Sequence, residues 1–170
     1  MINLLTFATL MQSHAEAIRN LAQNISDEQG HWRPDPDSWS ILEVLCHLYD
    51  EECLDFHVRL DLILHHPGET WPPIDPKGWV TSHHYYQRDL AQTVSSFLAE
   101  REKSLAWLKS LGSPDWQMSC KTPWGSMTAG DMFAAWVAHD LLHLRQLVEL
   151  HYAYHAQVVK PYTVTYAGEW

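Results

Sequence analysis

Apolar residues recur along this chain at alternating spacings of three and four, and no other feature constrains the fold as much. Leu4, Ala8, Met11, Ala15, Ile18, Ala22 and Ile25 share one face of a helix, because 3.6 residues per turn bring a side chain back to the same side every three or four positions. A second run, Ile41, Val44, Leu45 and Leu48 followed by Leu54, Val58 and Leu62, begins behind Ser40 and Glu43, the spacing of a capping box. The third spans His83 to Leu111, with Leu90, Val94, Phe97, Leu98, Leu105 and Leu108 on one face and Gly112 near its end. Thr128 and Asp131 form another N-cap pattern, opening a fourth helix that runs to about Tyr154. Asp27 to Asp37 holds Gly30, Pro34 and Pro36 and reads as a loop; His65 to Val80 is broken by prolines and glycines and reads as a long connection. The tail from Val158 takes no assignment. Four long amphipathic segments without convincing strand alternation predict an all-α, up-and-down four-helix bundle over residues 1–170, a single domain with long loops between helices two and three and between three and four. A solenoid would need an internal repeat, and none is visible.

Composition narrows the partners. Eleven Lys and Arg against 21 Asp and Glu give a formal charge of −10, a field that repels phosphate backbones and anionic lipid, so neither nucleic acid nor a membrane surface is an expected partner. No run approaches the roughly 18 apolar residues of a membrane span. Met1 to Met11 lacks a basic flank and a small-residue cleavage site, and its apolar residues continue a helical pattern. Cys46, Cys53 and Cys120 form an odd set without CxxC spacing, which points to a reducing, cytoplasmic setting.

Twelve histidines are the feature with chemical content. The fourth helix carries His139-Asp140-Leu141-Leu142-His143, two imidazoles one turn apart that can reach a single ion. Spacing alone is weak, since about one such pair is expected by chance in a chain this rich in histidine, and His151 with His155 is a second. Orientation separates them. Met132, Trp136, His139, Leu147, Leu150 and Tyr154 all fall within about 40° of His143, in the middle of the apolar stripe, whereas His151 and His155 lie off it and read as a solvated helix end. Buried imidazoles need partners; an ion supplies them, and so do hydrogen bonds within a core. The doublets His65-His66 and His83-His84 point to different sides of the chain and read as surface or loop residues. His47, with Glu51 one turn further on, is a candidate third ligand from helix two, or equally a surface histidine in an acidic patch.

Trp32-Arg33-Pro34, the stretch Ser38-Trp39-Ser40-Ile41-Leu42-Glu43-Val44-Leu45-Cys46-His47-Leu48, and the late His139-x-x-x-His143 resemble the DinB/YfiT-like metalloenzymes, over essentially the whole chain. The resemblance implies a divalent metal held in a four-helix bundle by one histidine of the second helix and two of the last, here His47, His139 and His143. It also implies a small-molecule substrate, with hydrolases and low-molecular-weight-thiol-dependent transferases among the relatives, and a homodimer. One ion per chain is expected; zinc and nickel suit nitrogen ligands best, with iron and manganese behind them.

Three neutral imidazoles leave a dication able to acidify bound water or to bind a thiolate. Glu51 is the candidate base, its alternative being a solvated acid or an outer partner of a ligand. Asp140 makes the motif look like that of zinc proteases, but it lies on the flank of the stripe and the third histidine is far upstream. Arg145 is expected to be structural and Cys46 to pack in the core. Trp32, Trp39, Trp79, Trp124 and Trp136 are candidates for a pocket wall, Trp136 foremost because it is one turn from His139; core and loop anchoring is their ordinary role. The reading of another class is a non-catalytic bundle that an ion stabilises or that dimerises.

Overall fold

Asn3 accepts a hydrogen bond from the Thr6 amide at 3.1 Å and starts α1 (Leu4–Ala22), whose buried residues are the predicted stripe from Leu4 to Ala22. The computed structural model describes residues 2–122 and 125–168; Trp124 and the extreme ends of the chain lie outside them. The segment expected to be loop from Asp27 contains a short helix, α2 (Asp27–His31), because Ser26 accepts from the Gln29 amide and caps it. The capping box of Ser40 and Glu43 forms and opens α3 (Ile41–Glu51). Glu43 is fully buried and is neutralised by Arg33. From α3 the chain continues through one π-helical turn (Glu52–Phe56) into α4 (His57–His65), so the second bundle helix spans the region that its periodicity predicts.

Three expectations give way to local chemistry. The connection after His65 includes α5 (Pro76–Ser82), where Asp75 caps the Gly78 amide and Pro76 occupies the first turn, a position where the missing N–H costs nothing. Helix three starts at Leu90 rather than His83. His84 takes a left-handed φ of 52°, and buried Asp50 accepts from Tyr85 Oη at 2.8 Å, His83 Nδ1 at 2.6 Å and Arg88 Nη1 at 3.2 Å, pinning to α3 the residues that periodicity would place in a first turn. Asp89 then caps α6 (Leu90–Ser110). The third connection carries an antiparallel ribbon, β1 (Ser119–Thr122) against β2 (Gly125–Thr128), with Cys120 opposite Met127; four-residue strands are too short for alternation to announce them. Its end flows into the Thr128/Asp131 capping box of α7 (Ala129–Val158), the 30-residue fourth bundle helix.

The expected four-helix bundle therefore forms, but its first and second helices, and its third and fourth, are not the neighbours that an up-and-down order would make them. α1 packs against α6 and α7, and α3 packs against the same two, so α1 and α3 occupy opposite corners, as do α6 and α7. Its core is divided. One apolar cluster includes Ala15, Leu48, Phe97 and Leu147, the other Met11, Leu60, Leu105 and Trp136. Between them every bundle helix contributes polar groups: His14, Glu51 and Glu52, Arg101, and His139, Asp140 and His143. Burying so many ionisable groups midway along a bundle is costly unless each finds a partner, and the functional interest lies in this layer. No helix among the described residues is long and apolar enough to cross a membrane.

Candidate metal centre

His47 comes from α3, and His139 and His143 from α7, one turn apart on the side that faces α3. Their ring nitrogens converge: His47 Nε2 lies 3.2 Å from His139 Nε2, which lies 3.1 Å from His143 Nε2. One nitrogen from each ring falls within 4.8 Å of the others, and among the described residues no cysteine, aspartate or glutamate joins the set. Those separations approach the edge of about 3.3 Å between nitrogens set about 2.0–2.1 Å from one tetrahedral ion.

Each ring is prepared to present a lone pair. Burial, reinforced by mutual repulsion within the cluster, lowers the pKa of His47 and of His139 to about 3, and burial lowers that of His143 as well, so all three are neutral at pH 7. His143 Nδ1 sits 2.8 Å from Gln146 Oε1; as the donor of that bond it leaves Nε2 unprotonated. His47 Nδ1 and Glu51 Oε1 are both buried without a hydrogen-bond partner and stand 3.8 Å apart. The two groups face each other on the Nδ1 side of the ring, while Nε2 is the nitrogen that His47 turns to the cluster. The residues fit a divalent ion by chemistry, protonation and spacing.

Glu51 is neither solvated nor in front of the cluster. It lies on the Nδ1 side of His47, behind the ring, and burial together with its neighbour Asp55 raises its pKa to about 8. Trp39 packs on His47 with ring centroids 4.9 Å apart, and Phe56 on His139 at the same distance. A groove of about 580 Å³ leads to His143, lined by Pro34, Trp39, Gln146 and Leu150 among others. Trp136 does not line it. The indole is 1 % exposed, stacks on Phe56 and donates to Glu52 Oε2 at 2.9 Å, because on the same stripe but one turn nearer the start of α7 it enters the apolar cluster of Met11 and Leu60; Trp39, which carried no distinguishing spacing, takes the place beside the histidines.

A family model corresponding to the DinB superfamily matches residues 10–147. The chain belongs to this superfamily. Among solved structures it is similar to YfiT from Bacillus subtilis, described as a probable metal-dependent hydrolase with an unusual four-helix bundle topology; the TM-score is 0.80 at 16 % identity, over 91 % of this chain and 91 % of that one. At that identity the likeness establishes a shared fold. No curated protein sequence matches the chain.

The remaining candidates sort by contact. Asp140 faces away from the histidines into a buried ion pair with Arg101, so the protease-like reading of the motif has no carboxylate at the cluster. Cys46 packs in the core and Arg145 pairs with Glu149 on the surface. His151 departs from the solvated end expected of it: Nε2 donates to the Leu21 carbonyl at 2.7 Å and Nδ1 accepts from Gln29 Nε2 at 3.0 Å, tying α7 to the end of α1. Sequence reasoning missed Gln146, Glu52 and Arg101. For Arg101 the signal was present, a charged residue at i+4 from Phe97 and i−4 from Leu105 in an otherwise apolar stripe.

The protonation pattern gives a pH prediction. Histidines whose folded pKa is depressed below the ordinary 6.5 contribute stability that is full above 6.5 and lost as pH falls toward about 3. Glu51, with its folded pKa raised from 4.5 to about 8, acts in the opposite sense, its contribution fading as pH rises from 4.5 through 8. Between pH 6.5 and 4.5 these three histidines and His57, lowered by burial as well, oppose Glu51 and Asp55, both raised by burial. Chelator-treated protein should therefore show a falling urea midpoint over that interval, and a flat midpoint there would contradict the neutral-imidazole assignment.

Proposed function

We propose that His47, His139 and His143 hold one divalent ion per chain, zinc or nickel before iron or manganese, and that the protein is a metal-dependent hydrolase of a small molecule. The convergence of three neutral Nε2 atoms at the head of a groove carries this reading. When bound, the ion supplies Lewis acidity and a water of lowered pKa. The protein's part is to keep the imidazoles neutral by burial, to aim them through Gln146 and Glu51, and to shield the cluster with Trp39 and Phe56. With three protein donors and no fourth among the described residues, the set resembles an open, reactive site more than a closed, structural one. The groove suits a small molecule, and three free cysteines suit a reducing, cytoplasmic setting. For the homodimer, the outer face of α7 offers Leu141, Leu142 and Val148, 54 %, 58 % and 36 % exposed; sedimentation equilibrium tests it.

Zinc- and nickel-loaded protein assayed against small esters, amides and phosphoesters should turn over at least one class faster than chelated protein. Equal rates for every class would overturn the hydrolase reading. A parallel incubation with a low-molecular-weight thiol and an electrophile tests thiol transfer in the same preparations.

Glu51→Gln distinguishes two roles. Placed behind His47, Glu51 acts through that ring, and its loss should weaken metal binding by about 10- to 100-fold. Retained affinity with a rate drop of about 100-fold or more would instead make it a base at the reacting atoms.

A further inference from the structure

Arg101 carries no candidate ligand and sits on α6, a helix that contributes none, yet its guanidinium spends all five N–H donors in the layer that holds the histidines. Nε and Nη2 grip Glu52 Oε1 and Oε2 at 2.8 and 2.9 Å; Nη1 and Nη2 grip Asp140 Oδ2 and Oδ1 at 2.7 and 2.8 Å; Nη1 also reaches the Met11 carbonyl at 3.2 Å. Arg101, Glu52 and Asp140 are at most 2 % exposed. Glu52 opens the π turn five residues after His47, and Asp140 is the neighbour of His139.

We propose that Arg101 is a positioning residue of the histidine cluster: by clamping Glu52 and Asp140 together it fixes the register of the helix carrying His47 against the helix carrying His139 and His143. This rests on the metal-site reading above. α6 and α7 stand at opposite corners of the bundle, so the Arg101–Asp140 contact crosses its diagonal and sets the depth at which α7 lies against α3. Two bidentate, charge-assisted grips on one planar fork leave little freedom to slide or rotate. A slide of one residue along α7 moves its imidazoles by about 1.5 Å, enough to separate nitrogens now 3.1–3.2 Å apart. Trp136 Nε1 on Glu52 Oε2 and His14 Nδ1 at 3.4 Å from Asp140 Oδ2 hold the same two carboxylates from other sides.

The test is cobalt(II) titration followed by visible absorption, on wild type, Asp140→Asn, Glu52→Gln and Arg101→Lys, with Leu108→Ala, two turns along α6 from Arg101, as a control that opens a hole in the apolar cluster of Met11 and Leu60. The two isosteric variants keep shape and remove one grip each; they decide the question if Arg101→Lys does not fold. Clamp variants should bind cobalt about 10- to 100-fold more weakly and alter the intensity or position of its visible bands. Leu108→Ala, although thermally destabilised, should retain the wild-type affinity and spectrum. Wild-type affinity and bands in both isosteric variants, or an equal loss in Leu108→Ala, overturns the positioning role. Failure of wild type to bind cobalt is a separate result, which defeats the metal-site reading and this inference with it.

Discussion

Each of His47→Ala, His139→Ala and His143→Ala should abolish stoichiometric metal binding, where wild type, untagged and analysed by plasma mass spectrometry, holds about one divalent ion per chain. The three substitutions are equivalent because each ring supplies one Nε2 to the same point. Stability should follow. An ion present at about a thousand times its Kd adds about 4 kcal/mol to the folded state, or about 8 to 16 °C of melting temperature for a chain of this size. Wild type should lose that increment on chelation; the alanine variants should have none to lose. In chelator the variants should melt near wild type, since each has shed an imidazole whose Nε2 meets only other imidazoles. A wild type that stays empty after reconstitution with zinc, nickel, iron and manganese would reduce the cluster to one buried and two half-buried histidines and send the search for function to the bundle surface.

Arg101→Ala should cost about 3 to 5 kcal/mol, as breaking a buried ion pair from one side does, against a total stability on the order of 5–15 kcal/mol for a domain of this kind. Burial opposes the charge on Arg101, but Glu52 and Asp140 raise its pKa far above any accessible range. Burial likewise works against the Asp140 carboxylate, yet Arg101 and His14 hold its pKa below the ordinary value. Removing the cation therefore leaves two carboxylates in the core with no compensating charge. The neutral combination Arg101→Met, Glu52→Gln, Asp140→Asn should recover much of the loss, because it removes the charges together. Urea denaturation of the single and triple variants measures both effects. An Arg101→Ala protein as stable as wild type would show that water reaches this layer and compensates the carboxylates.

The stripe of α1 was legible residue by residue, as were the capping boxes at Ser40 and Thr128. Both depend on interactions within one or two turns, which are written in spacing. The start of α6 was not legible, because the bonds that keep His83 to Arg88 out of the helix end on Asp50, more than thirty residues upstream. The short strands were missed for want of length, and α2 and α5 because glycine and proline mark helix edges as readily as loops.

At the site, sequence alone determined that His139 and His143 share the buried face of one helix, since 3.6-residue periodicity places both beside Trp136 and Leu147. That His47 joins them, 92 positions away, was readable only through resemblance, because at the edge of its own apolar stripe it could equally have faced solvent. The tertiary structure decided the rest. Glu51 was a carboxylate one turn from His47 on any reading; packing put it behind the ring, out of water, instead of in front of it. Asp140 was a flanking acid in a metal-like motif; about 100° of helix rotation from His139 sets its direction, and only the arrival of Arg101 from the opposite corner of the bundle made that direction a buried clamp. Periodicity fixes which way a side chain points from its own helix, whereas what it meets there depends on the packing of distant segments.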